Sequence, residues 1–157
     1  MSNFDEKTVE RIKKLEREVE RLRVKEKGGI WTSYTPAWTA YTGTPSLGNG
    51  TITGKYAKVG KVVTVNVTLT FGSTTSASGT SVWYISLPFT AAGDGMGVWV
   101  AFESGVKFYT GSVKVRTGES TIGSFFQDAG QGYFSETRPH AWGEDDTLDV
   151  MVTYEVA

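Results

Sequence analysis

Apolar residues recur along this chain with two different periods, and the change of period divides it. Ile12, Leu15, Val19 and Leu22 are separated by three, four and three residues, which places them at a, d, a and d of two helical heptads. From Val63 to Phe71 the odd positions are apolar (Val63, Val65, Val67, Leu69, Phe71), and Thr64, Asn66, Thr68 and Thr70 alternate with them. A period of two describes a strand with one dry face and one wet face. Leu148, Val150, Val152, Tyr154 and Val156 repeat the pattern, interrupted on the other face by Met151. Shorter strand candidates lie at 31–38, 51–59, 82–87, 98–103, 106–116 and 121–127, most of them separated by Gly, Ser, Asn or Asp clusters. About eight antiparallel strands predict a mainly β protein, a jelly-roll-like β-sandwich head behind a short N-terminal helix. No repeat of fixed period is visible, which argues against a propeller or β-helix.

Composition sharpens the boundary. Residues 1–27 hold nine of the 16 basic and seven of the 17 acidic side chains, with no Gly and no Pro. All 19 Gly, all four Pro and all five Trp follow. The expected organisation is therefore a coiled-coil stalk over 1–27, a Gly-rich linker over 28–30 and a β head over 31–157. Ser2 is the expected N-cap, with Asp5 and Glu6 favouring the positive end of the helix dipole.

On this register Arg11 and Glu18 occupy g, and Glu16 and Arg23 occupy e. In a parallel coil Arg11 meets Glu16 of a neighbour and Glu18 meets Arg23, both opposite in sign. A helix lying on its own head is the alternative, but four apolar residues in so charged a surface make a stripe too narrow to cover a sheet well. β-branched a positions with Leu at d favour two strands. Against that, Arg11-Ile12-Lys13-Lys14-Leu15-Glu16 resembles the Arg-apolar-x-x-apolar-Glu motif of short parallel trimeric coils, and a homotrimer is expected. Two heptads are marginal alone, so the head must help to hold the copies together.

Several classes are disfavoured. A net charge of -1 gives no overall attraction to nucleic acid. No apolar run approaches the length of a membrane helix, and the N-terminal residues lack the apolar stretch of a signal peptide, so a chain made soluble in a cytoplasm is expected. With no Cys there is no disulfide, thiolate nucleophile or thiolate metal site. The single His140 has no second His at ligand spacing, and a hydrogen-bonded structural role is expected for it. Glu144-Asp145-Asp146 with Asp149 does not match a calcium loop and reads as a solvated turn. Gly93-Asp94-Gly95-Met96-Gly97 lacks the lysine of a phosphate loop and reads as a flexible turn. Neither catalytic residues nor a cofactor or metal is expected.

Aromatic residues carry the remaining chemistry. Trp31 and Trp38 follow the helix and are expected to pack at the neck, and most of the others to fill core or interface. The segment 128–142 mixes Gln131, Tyr133, Arg138 and Trp142 with glycines. Aromatic faces that stack on sugar rings, beside groups that bond hydroxyls, make these four the expected receptor contacts, with a cell-surface glycan as the target.

Three stretches are also recognisable: Tyr34-Thr35-Pro36-Ala37-Trp38-Thr39, Thr44-Pro45-Ser46-Leu47-Gly48-Asn49-Gly50-Thr51-Ile52-Thr53-Gly54-Lys55-Tyr56 and Val59-Gly60-Lys61-Val62-Val63. With Leu69-Thr70-Phe71-Gly72-Ser73-Thr74-Thr75, Ser86-Leu87-Pro88, Arg138-Pro139-His140-Ala141-Trp142 and Thr153-Tyr154-Glu155, they resemble the C-terminal β domain of minor tail and tail-fibre proteins of tailed bacteriophages, siphophages of actinobacteria in particular. The resemblance implies a trimeric virion appendage whose partners are other tail or capsid proteins and a host receptor. A head fibre, collar or capsid decoration protein with a purely structural role is the alternative, because a coil of about 30 Å is shorter than the usual fibre shaft.

Overall fold

The computed structural model describes residues 5–26, 29–126 and 133–157, with the backbone alone for 23–26. Ser2 and Gln131 lie outside the described residues. Among the described residues one helix, α1 (Glu6–Glu26), precedes ten strands. Asp5 caps it: the Asp5 carboxylate accepts a hydrogen bond from the Thr8 N–H at 2.7 Å, and hydrogen bonding from Thr8 holds the carboxyl below its usual range. Ile12, Leu15, Val19 and Leu22 are 42–64% exposed. The apolar stripe therefore does not cover the chain's own head.

The strands are β1 (Thr32–Tyr34), β2 (Trp38–Thr42), β3 (Thr51–Val59), β4 (Val62–Thr70), β5 (Ser81–Ser86), β6 (Gly93–Glu103), β7 (Lys107–Val115), β8 (Thr121–Ile122), β9 (Ser124–Phe126) and β10 (Thr147–Glu155). They form two antiparallel sheets, a seven-stranded one in the order β1-β3-β4-β10-β6-β7-β9 and a three-stranded one in the order β2-β5-β8. A jelly roll divides eight strands between its sheets; here the division is seven and three. The reason is visible at two breaks. Residues 31–38 do not form one strand, because the chain leaves the large sheet after Tyr34 and joins the small one at Trp38, with Pro36 between them. The candidate strand at 121–127 is, over its described residues 121–126, two strands that change sheets at Gly123, where a Cβ would collide with the Tyr84 ring.

The core follows the alternation. Val63, Val65, Val67 and Leu69 of β4 and Leu148, Val150, Val152 and Tyr154 of β10 are all buried, and β10 pairs with β4 from Thr147↔Thr70 to Glu155↔Val62. Aromatics join the sheets at one end. Trp83 of β5 lies 4.9 Å from Trp38, 6.1 Å from Phe71 and 6.0 Å from Phe134, centroid to centroid. Trp38 thus packs in the head core and not at the neck, whereas Trp31 is exposed with the Lys55 ammonium 5.1 Å from its ring.

Gly93–Gly97 is the first half of β6, paired with β10 on one side and β7 on the other, and not a flexible turn. Its glycines answer to close approach: a Cβ on Gly95 would strike Tyr154 and one on Gly97 the Met151 carbonyl oxygen, beside an irregularity at Thr153/Glu155. Glycine here permits strand pairing that any side chain would block.

Two phenols tie the end of β5 and the segment after it to the large sheet. Tyr34 Oη donates to the Ser86 carbonyl at 3.2 Å and Tyr154 Oη to the Phe89 carbonyl at 2.9 Å. Burial raises both ionisations above the ordinary value of 10.0, that of Tyr154 to about 12. Folding therefore favours the neutral phenols, and this contribution is complete below pH 10 and lost as pH climbs through the folded-state values. Urea midpoints are expected to fall between pH 9 and pH 11.5, and to fall less in Tyr34→Phe/Tyr154→Phe. Equal falls in both proteins would refute the assignment.

Candidate functional site

Strand register gives the head two ends. Val59, Val62, Glu155, Gly93 and Val115 lie at one, and Thr51, Thr70, Thr147, Phe102 and Lys107 at the other. The Gly29 N–H donates to the Lys58 carbonyl at 3.0 Å, so the helix enters at the first end. The loops at the second end, remote from that entry, form the candidate site.

The loops before β3 and after β4 are locked together there. Asn49 Oδ1 accepts from both the Thr74 N–H (2.9 Å) and its hydroxyl (2.8 Å), and Asn49 Nδ2 donates to the Ser73 hydroxyl at 3.0 Å. A Cβ on Gly72 would strike the same Asn49 Oδ1, so the close approach needs glycine. Beside this, Asp146 joins the β6–β7 hairpin to the long loop before β10. Its Oδ1 accepts from the Ser104 N–H at 2.8 Å, and its Oδ2 from the Gly143 N–H at 2.7 Å. His140 Nε2 lies 3.0 Å from the same Oδ2. Glu144 and Asp145 are exposed as a solvated turn requires, but Asp146 is buried. A carboxylate that accepts three bonds tolerates burial.

His140 is buried between Tyr109, 5.0 Å away and nearly parallel, and Trp142, 4.3 Å away. The Tyr109 hydroxyl donates to Glu103 Oε2 at 2.6 Å, and that bond, then burial, raises its ionisation to about 12. The imidazole–carboxylate pair thus sits inside the end of the head as a fastening. Among the described residues no group of three or more His, Cys, Asp or Glu is placed to hold a metal ion. No helix among them is long and apolar enough to cross a membrane.

The expected receptor contacts separate into two kinds. Tyr133 is 53% exposed and Arg138 is exposed, both free to meet a ligand. Trp142 is half-buried: its indole N–H donates to the Ser135 and Arg138 carbonyls, both at 3.1 Å, and its ring stacks 5.0 Å from Phe71. It shapes the loop from beneath. Its edge lines a cleft of about 240 Å³ with Thr75, Ser76, Ser78, Glu136 and Thr137. This chemistry, hydroxyls and one carboxylate beside an indole, suits hydrogen bonding to a polyhydroxylated ligand. Thr75, Ser76 and Ser78 carried no motif and became neighbours of 136–142 only through the fold.

Among the stalk positions, Glu18 makes an ion pair within its own helix, with Arg21 at 2.7 Å. Arg11 and Glu16 are exposed, and the Arg23 side chain lies outside the described part. An exposed i,i+3 pair is worth under about 1 kcal/mol and does not bar Glu18 from a neighbour.

A Mu-like prophage FluMu defective tail fiber protein of Haemophilus influenzae (strain ATCC 51907 / DSM 11121 / KW20 / Rd) is 30% identical to this chain over 129 residues. The chain is thus homologous to part of a phage tail fibre. The match covers 80% of this chain and 20% of that protein, so this chain spans about a fifth of the relative's length. No protein-family model matches the chain. A solved structure, that of the Dettilon tailspike protein, aligns with a TM-score of 0.43 and 14% identity over 81% of this chain and 24% of that one. The tail-fibre relative comes from a Mu-like prophage of Haemophilus and gives no support to the narrower expectation of actinobacterial siphophages.

Proposed function

We propose that this protein is a virion component of a tailed phage in which parallel copies, three in number, join through α1 and present the loops at the far end of each head to a host-surface glycan. The observation that carries the reading is the division of the molecule. An exposed apolar helix stripe lies at the entry end, and exposed Tyr133 and Arg138 belong to the loop system at the other. Similarity to a tail fibre supports it. Binding needs only weak sites, because three linked heads raise the effective concentration of each. On this reading the protein binds without catalysing and uses no cofactor, and its other partners are neighbouring tail or capsid proteins.

Attachment to susceptible cells or their extracted glycans tests this directly. Tyr133→Ala/Arg138→Ala is expected to reduce attachment at least tenfold while sedimentation still gives a trimer, because each loss is multiplied by valency. Undiminished attachment would reject the loop. No attachment by the unaltered trimer would favour a head fibre, collar or decoration role. Release of shortened oligosaccharides would overturn the non-enzymatic reading and direct attention to Glu136, Glu144 and Asp145.

A further inference from the structure

The outer face of the seven-stranded sheet is unusual for a surface in contact with water. Met96 and Val98 of β6 are 69% and 52% exposed, and Met151, directly opposite Val98 on β10, is 48% exposed. A second apolar pair lies toward the helix entry, Val59 and Val62, 60% and 48% exposed, beyond Thr64, Thr153 and Glu155 of the same face, where a Cβ on Gly29 would touch Val59. Columns of Thr, Ser and Asn flank the first group: Thr64, Asn66 and Thr68 on β4, Thr110 and Ser112 on β7. Charges on this face are few, three acidic and two basic. Asp149 accepts from the Thr68 hydroxyl, Lys114 pairs with Asp94 at 3.1 Å, and Lys55 and Glu155 complete the set. Clustered exposed apolar side chains rimmed by polar ones mark interaction surfaces.

We propose that this face is where the heads of neighbouring copies meet. The inference rests on the stalk reading above and goes beyond it. Three features select a second copy as the occupant. First, α1 ends at Glu26 and β1 begins at Thr32; the five residues between them reach at most about 18 Å. Helices joined along their seam therefore hold the heads close together, entering beside the edge formed by β1 and β3. Second, the face carries only three acidic and two basic groups, one of each already paired as Lys114–Asp94, with hydroxyls around them, so that its net charge is small and opposes a second copy only weakly. Third, the area suffices. Four strands about 4.8 Å apart and about 30 Å long present roughly 600 Å² in projection, near the roughly 800 Å² per partner of a stable interface once side-chain relief and the helix are added. The head then supplies the cohesion that two heptads lack.

The absence of Cys makes the test clean. Val98→Cys, Met151→Cys and, on the small sheet, Tyr41→Cys (Tyr41 is 76% exposed) are made singly in the full chain, and the oligomer is measured by sedimentation. Maleimide labelling is expected to be at least tenfold slower at positions 98 and 151 than at 41, and to become equal in denaturant. Three other outcomes would overturn it. A trimer in which all three sites label alike overturns this proposal and leaves the stalk reading standing, whereas a monomeric full chain overturns both. A trimer in which only added host oligosaccharide slows position 98 assigns the face to a sugar and overturns the second-copy occupant.

Discussion

Ile12→Asp/Val19→Asp is expected to turn the assembled protein into a monomer at micromolar concentration. Both side chains are open to water in the single chain, at 42% and 48% exposure, so the substitution removes nothing that the isolated fold uses. In a parallel trimer the same positions meet around the axis. Burying an Ile or Val side chain is worth about 1.5–3 kcal/mol, and six of them are lost together with the approach of six carboxylates. The total is on the order of 10 kcal/mol, against about 1.4 kcal/mol for each tenfold in association. Sedimentation equilibrium reads the result, and a trimer that survives the double change would refute assembly through α1. Circular dichroism is expected to keep the β signal and lose part of the helical one, because a 21-residue helix without partners is marginal in water.

Val65→Asp is expected to abolish soluble folding. Val65 is fully buried on the inner face of β4, between Tyr56 of β3 and Val152 of β10. An unpaired carboxylate there costs several kcal/mol even when it protonates. Total stability of a domain is only about 5–15 kcal/mol, and the site lies in the middle of a strand paired along its whole length on both sides. Asn66→Asp is the comparison, since residue 66 points to the opposite face and is half-buried. That variant should express and give a β spectrum. Equal recovery of both proteins would mean that the two faces of β4 are misassigned.

How much of this was legible in the chain depended on distance along it. The helix and the two long alternating strands, β4 and β10, announce themselves because the signal lies within one element: a period set by helical or pleated geometry. The aromatic core was legible only as composition. Trp38 follows the helix by few residues and was expected at the neck, yet its ring meets Trp83 and Phe71 inside the head.

The candidate site was legible in part. Tyr133 and Arg138 are exposed, as a binding loop requires, but Trp142 spends its indole N–H and one ring face on holding that loop. Asp146 carried no local signal that would separate it from exposed Asp145, because its three partners come from Gly143, His140 and the distant Ser104. The hydroxyl cleft and the exposed Met96–Val98–Met151 stripe are likewise products of strand order.

By itself the sequence determined a charged helix with a four-residue apolar seam, a β head with two long half-buried strands, and the lack of any catalytic cysteine or paired histidines. Tertiary structure alone decided which segments change sheet, that Gly93–Gly97 pairs as a strand, and which carboxylate is buried. It also decided which side chains share each end and face of the head. The physical reason is that a helix or strand declares its own face through side chains a few residues apart. What covers that face is decided by backbone pairing between residues as remote as Val65 and Val152, and no local period records it.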